Sequence, residues 1–175
     1  TEIYTLSLHD ALPIWDKTRI IEFGRYAKVN AASKGLKPAT FNFLGFTHFI
    51  DKSRKGNFKV GRKTDRKRMT AKLKEMNLWL KGIRNQFPAR TWWKTLRAKL
   101  SGHFQYYGVS GNFRSISRFY YLTIHLVFKW LNRRSQKKSF NWDTFAEYLK
   151  RHELPKPKIH RSEEHTSELQ SRQSI

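Results

Sequence analysis

Apolar residues in the second half of this chain recur every three or four positions, whereas in the first half they alternate or cluster. Met69, Leu73, Met76, Leu80 and Ile83 predict an amphipathic helix from Thr64 to about Asn85, with Thr64 or Asp65 available as its cap. Pro88 punctuates the next start, and Trp93, Leu96, Leu100 and Phe104 form a second stripe that ends near Gly108. A third helix is expected from about Asn112, with Ile116, Phe119, Tyr120, Thr123, Val127 and Trp130 inward. Asn141 can cap a short fourth helix through Trp142, Phe145 and Leu149, which Pro155 ends. Upstream, Thr18 to Phe23 reads as a strand with one buried face, and Tyr26 to Thr40, basic and holding Gly35 and Pro38, reads as a surface loop. Asn42 to Ile50 and Asn57 to Val60 read as the arms of a hairpin with the polar tip Asp51 to Gly56. The fold class that follows is α+β, a small β element attached to a helical bundle, and periodicity alone carries no more.

Composition narrows the partners. The 175 residues carry 36 Lys and Arg against 13 Asp and Glu, a formal net charge of +23. Such an excess repels itself in an isolated domain and suits a polyanion, with nucleic acid the first expectation. Aromatic residues make up 15% of the chain, more than a disordered basic tail carries, so a core can form. A membrane-surface role is disfavoured and no span is expected, because the most apolar run, Phe119 to Leu131, is short and interrupted by His125 and Lys129. The chain has no cysteine and no secretory signal, which makes the cytoplasm the default location and removes disulfides and Cys-based zinc sites.

The basic residues are not evenly spread. Lys52, Arg54, Lys55, Lys59, Arg62, Lys63, Arg66, Lys67, Arg68 and Lys72 form the densest stretch, interrupted only by Asp51 and Asp65. Crowding of that kind costs stability unless phosphates offset it, so these are candidate backbone contacts. On the second helix Arg90, Lys94 and Arg97 are spaced to line the side opposite Trp93, Leu96 and Leu100. Arg133 and Arg134 follow the third helix, where cations also suit the helix dipole. Phe104, Tyr106 and Tyr107 sit at a helix end and are expected to be core rather than base-stacking platforms. His48 has no second ligand at metal spacing, Asp143 falls in a helix first turn where a carboxylate is stabilising anyway, and no metal site is expected.

Three motifs carry a family resemblance: Lys17-Thr-Arg-Ile-Ile-Glu-Phe-Gly24, then Phe41-Asn-Phe-Leu-Gly-Phe-Thr-His-Phe49, then Gly102-His-Phe-Gln-Tyr-Tyr-Gly108. In that order they resemble the end of the palm and the thumb of bacterial group II intron reverse transcriptases, also called maturases, over about Asp16 to Ile159. The resemblance implies a strand and hairpin remnant of a reverse transcriptase palm over residues 16–61, a mainly helical thumb or maturase-specific domain over 62–152, and a truncated tail over 153–160. It implies that Leu44, Gly45 and Phe46 belong to a primer grip, the hairpin that holds a growing strand's 3′ end. It also implies that Lys17 matches a lysine that helps the pyrophosphate leave. The partners implied are intron RNA and an RNA/DNA template-primer duplex. The intact relative is an RNA-directed DNA polymerase that uses Mg2+ and aids intron splicing and mobility. The family's Tyr-Ala-Asp-Asp centre does not occur in this chain, so no catalytic residue and no cofactor is expected here, and the fragment is expected to be inactive alone. A free-standing basic helical RNA-binding module, or the thumb of another bacterial reverse transcriptase, is the alternative.

Thr1 to Ile14 resembles the conceptual translation of a short-read sequencing adapter, and Arg161 to Ser171 that of its opposite-end partner. On this reading residues 1–15 and 161–175 are non-native and fall outside fold reasoning. Setting aside Arg161 and Arg172 from the 36 basic residues leaves 34, and setting aside Glu2, Asp10, Glu163, Glu164 and Glu168 from the 13 acidic ones leaves 8, so the net charge rises from +23 to +26.

Overall fold

The computed structural model describes residues 20–53, 55–134 and 140–160. Two compact units are present, one holding described residues 20–39 and 50–59, the other 40–49 and those from 60 onward. The architecture is α+β: a small three-stranded antiparallel sheet followed by helices.

In the first unit the stretch expected to be a loop contains helix α1, Ala27–Ser33. Its alanines are strong helix formers, and Ala27 is buried. Gly35, at φ 65, stops it: the Gly35 N–H donates to Ala32 O at 3.0 Å and the Leu36 N–H to Ala31 O at 2.8 Å, which satisfies the last carbonyls in a Schellman arrangement. The strand expected over Thr18 to Phe23 is not found at 20–23, and Ile20 is 97% exposed; positions 18 and 19 lie outside the described residues. Alternation makes a strand only where a neighbour completes the hydrogen-bond ladder, and the sheet order β1-β2-β3 includes no strand for this segment.

The strands are β1 (Phe41–Phe43), β2 (Phe46–Lys52) and β3 (Phe58–Thr64). The single arm expected from Asn42 to Ile50 is broken at Leu44 and Gly45, whose φ values of 47 and 77 make a tight two-residue turn with Phe43 opposite Phe46. The last strand runs past Val60 to Thr64. Gly61 is required there, because a Cβ at that position would come 2.5 Å from the Phe49 ring.

The second unit carries four amphipathic helices where the periodicity places them: α2 (Arg66–Ile83), α3 (Ala89–Tyr107), α4 (Phe113–Asn132) and α5 (Trp142–Arg151). Asp65 caps α2, its carboxylate accepting from the Lys67 and Arg68 N–H groups. Asn141 caps α5 in a reciprocal box with Thr144. Leu80, Leu96, Leu100, Phe104, Ile116, Phe119 and Val127 form the centre of the core. Beyond α5 the chain turns back: Leu154 is buried, and the His160 N–H donates to Gly108 O at 2.7 Å. Among the described residues no helix is long and apolar enough to cross a membrane.

Candidate nucleic-acid interface

The Leu44–Gly45 turn is anchored from two sides. Leu44 O accepts from Tyr106 Oη at 2.9 Å, and Gly45 O accepts from the Asp65 N–H at 2.9 Å. The turn is thereby tied to the C-terminal end of α3 and the start of α2. A left-handed backbone costs a residue such as Leu44 about 1–2 kcal/mol, so these two bonds hold a conformation the sequence does not favour. A Cβ on Gly45 would lie 2.9 Å from Tyr107 Oη, so the backbone reaches the ring only because glycine is there. Phe46 faces inward, its ring 5.2 Å from Tyr107 and 6.1 Å from Tyr106. The three residues expected to act as a grip therefore divide: Leu44 and Gly45 form the presented turn, and Phe46 is core.

Beside this turn lies a cleft of about 840 Å³. Arg68, Lys72 and Glu75 of α2 line one wall, Lys99, Gly102 and Tyr106 of α3 another, and Met76, His103, Tyr107 and Phe119 complete it. Asp65 is buried at the cap of α2 and is not part of the cleft wall, though its charge acts on Tyr107, which is. Glu75 is in the wall: Lys72 Nζ lies 2.8 Å from its Oε2, and that hydrogen bond holds the carboxyl below its ordinary pKa. His103 stacks on Phe119 with ring centroids 3.6 Å apart. Burial, aided by the Lys72 charge, pushes its imidazole down to about 4, so it is neutral near pH 7 and adds no cation to the cleft.

The basic residues singled out in the sequence are not brought to one place. Lys17 and Arg54 lie outside the described residues. Lys52, Lys55 and Lys59 belong to the first unit, the first two exposed and Lys59 partly buried. In the second unit Arg62 is partly buried, Lys63 is exposed with its ammonium 5.5 Å from the Phe49 ring, and Arg66, Lys67, Arg68 and Lys72 are exposed on α2. Of these, Arg68 and Lys72 reach the cleft. Arg90, Lys94 and Arg97 are all exposed on α3 and are not part of the cleft wall, but at 3.6 residues per turn they lie only about a quarter-turn from the buried Trp93, Leu96 and Leu100, flanking that stripe and not opposite it as expected. The Arg133 guanidinium lies 5.6 Å from the Trp130 ring, which Arg84 and Lys129 also approach at 4.7 and 5.1 Å, so it has a packing role of its own. Arg134 is exposed.

Lys99 and Glu75 belong to the site and were not singled out. Lys99, His103 and Tyr106 follow one another at helical spacing, with Gly102 leaving room between them, and that was the available signal. Tyr106, expected to be core with Phe104 and Tyr107, is 51% exposed at the cleft, whereas the other two are buried.

Among the described residues no group of three His, Cys, Asp or Glu is placed to hold a metal ion. Comparison with protein-family models, with curated proteins and with solved structures returns no match.

Proposed function

We propose that this chain is the nucleic-acid clamp of a group II intron reverse transcriptase/maturase: the end of the palm and the thumb of an RNA-directed DNA polymerase that aids intron splicing and mobility. The observation that carries the reading is the Leu44–Gly45 turn, held by Tyr106 and Asp65 at the mouth of a cleft lined by Arg68, Lys72 and Lys99. A turn that grips a strand end needs a fixed backbone beside cations, and the anchored turn with the three cationic side chains of the cleft supports that reading. Intron RNA and a template-primer duplex are the proposed partners. The cytoplasm is the proposed location. Polymerisation itself belongs to the catalytic carboxylates of the intact relative, assisted there by Mg2+.

The test is a salt series of structured-RNA binding by the full chain, run beside a primer-extension assay. About five engaged phosphates make log affinity fall against log salt with a slope of roughly −3 to −5. Extension is expected to stay at background. Binding that ignores salt overturns the clamp, and extension above background overturns the assignment of catalysis to residues outside this chain.

A further inference from the structure

The outer face of α4 carries a feature that the clamp does not use. Arg114, Arg118, Tyr121, His125 and Lys129 follow one another at steps of four, three, four and four. At 3.6 residues per turn they share one stripe, about half a turn from the buried Ile116, Phe119, Thr123, Val127 and Trp130. The rings on this stripe are organised. Tyr121 meets His125 edge-on at 4.4 Å, His125 meets Trp142 of α5 at 4.8 Å, and Trp142 stacks on Phe128 at 4.0 Å with the planes 13° apart. Phe128 and Phe145 support the indole from beneath, yet Trp142 remains 46% exposed and Tyr121 61%.

A core aromatic would be covered, and an isolated surface aromatic would have no neighbours. Here the partly buried His125 and Phe128 join the exposed Tyr121 and Trp142 in one chain of ring contacts, and two arginines extend it toward the N-terminus of α4. No Asp or Glu occurs between Phe113 and Asn132. Carboxylates outside α4 include Asp143 in the first turn of α5, Glu147, which faces Arg151 at 3.6 Å, and Glu153, whose charge acts on Tyr120 of α4.

We infer that this face binds single-stranded nucleic acid, with unpaired bases stacking on Tyr121 and Trp142 and phosphates held by Arg114 and Arg118. The inference rests on the reading of the chain as a nucleic-acid binder and places a second, distinct contact on it. Charge complementarity selects the occupant: the charged side chains of this stripe on α4 are all cationic, and stacking on aromatic rings is tolerant of any base. In a duplex the base faces are already stacked on one another, so the face discriminates by strandedness and not by sequence. From Arg114 to Lys129 the stripe spans about 22 Å, or about six stacked nucleotide steps of 3.4 Å.

The test measures affinity of the full chain for a short unstructured oligouridine and for a blunt RNA duplex of equal charge, in wild type, Tyr121→Ala, Trp142→Ala and the pair Arg114→Gln with Arg118→Gln. Each aromatic variant is expected to lose roughly five- to 150-fold in oligouridine affinity. Duplex binding is expected to stay within about twofold. The arginine pair is expected to weaken oligouridine binding and to flatten its salt dependence by up to about one and a half units. Tyr121 is exposed enough that its variant keeps the wild-type melting temperature, which guards against a Trp142 variant that repacks α5. Equal losses for duplex and single strand, or no loss for either aromatic variant, overturn the platform while leaving the clamp standing. Wild-type binding to neither probe overturns both. A shift in sedimentation from dimer to monomer in Trp142→Ala identifies the face as a self-association surface instead and overturns the inference.

Discussion

Asn112 joins Thr64 across 48 residues of sequence, its Oδ1 accepting from the Thr64 N–H at 2.8 Å and its Nδ2 donating to Thr64 Oγ1 at 2.9 Å. The same Nδ2 donates to Tyr107 O at 2.8 Å. Asn112 is fully buried, and its one amide fixes the end of β3 to the end of α3. Tyr106 and Tyr107 are held in place beside the Leu44–Gly45 turn by this link.

Replacing Asn112 by Ala therefore leaves the buried Thr64 N–H unpaired, while Tyr107 O keeps its bond from the Val109 N–H at 2.9 Å. At about 1–3 kcal/mol for an orphaned buried group, the loss is roughly 1–3 kcal/mol. Urea denaturation measures it. Asn112→Asp is expected to destabilise as well, because a carboxylate cannot donate to Tyr107 O. A loss under about 1 kcal/mol for the Ala variant would show that the amide is not the fastener.

Glu75 is the carboxylate in the cleft wall, and it holds Lys72 at 2.8 Å. Both side chains are more than half exposed, so the pair adds little to stability, about 0–1 kcal/mol before solvent screening. Glu75→Gln is expected to leave the melting temperature nearly unchanged, to tighten RNA binding, and to steepen the log-salt slope by up to about 0.9 as Lys72 becomes free for a phosphate. Unchanged or weaker RNA binding in this variant would argue that phosphates do not enter the cleft.

His103 makes stability depend on pH. Its imidazole takes a proton near pH 6.5 when unfolded and only at about 4 when folded, chiefly because burial disfavours the charge. Between those values the unfolded chain binds more protons, so stability is full above about pH 6.5 and is lost as pH falls toward 4. Melting curves across that window are expected to drop, and His103→Phe, which keeps the stack on Phe119, is expected to flatten the drop. The lowered imidazole of His48 acts in the same direction, so some pH dependence persists in that variant. A wild-type-sized drop in His103→Phe removes His103 as the source.

How much of this was legible in the sequence depends on the length scale of the signal. Helices α2 to α4 were, because each carries an apolar stripe repeated over three or more turns, and the short α5 was because its cap Asn141, like Asp65 of α2, is local chemistry. Helix α1 was not: seven residues hold too few apolar positions for a period, and its stop signal at Gly35 reads equally well as a loop. The break in the first strand was hidden because Leu44 is an unusual residue for a left-handed turn, and what holds it there comes from Tyr106 and Asp65, far along the chain. Gly108 was recognisable as a helix stop for an incomplete reason. A Cβ there would lie 2.6 Å from Lys158 O, so it also admits the returning tail, a tertiary contact that no local pattern encodes. At the site, the basic run exposed Arg68 and Lys72, but their convergence with Lys99 on one cleft required α2 and α3 both to pack on α4.

The α3 helix separates stability from binding most cleanly. Leu96 is fully buried at its centre, while Arg90, Lys94 and Arg97 are exposed on its outer side, and none of the three forms an ion pair among the described residues. Changing the three basic residues together to Ala removes no packed surface and adds a good helix former, so the melting temperature is expected to hold or rise slightly. If the face contacts phosphates, RNA affinity falls across sequences and the salt slope becomes shallower by up to about three units. Leu96→Ala has the opposite profile: a cavity costing roughly 2–5 kcal/mol, with the salt slope of the surviving folded fraction unchanged. Thermal melting and salt-dependent anisotropy on the two variants read both axes. Should the basic triple unfold the protein, or bind RNA as the wild type does, the outer face of α3 is not a phosphate-contacting surface, and binding is confined to the cleft formed by α2, α3 and the Leu44–Gly45 turn.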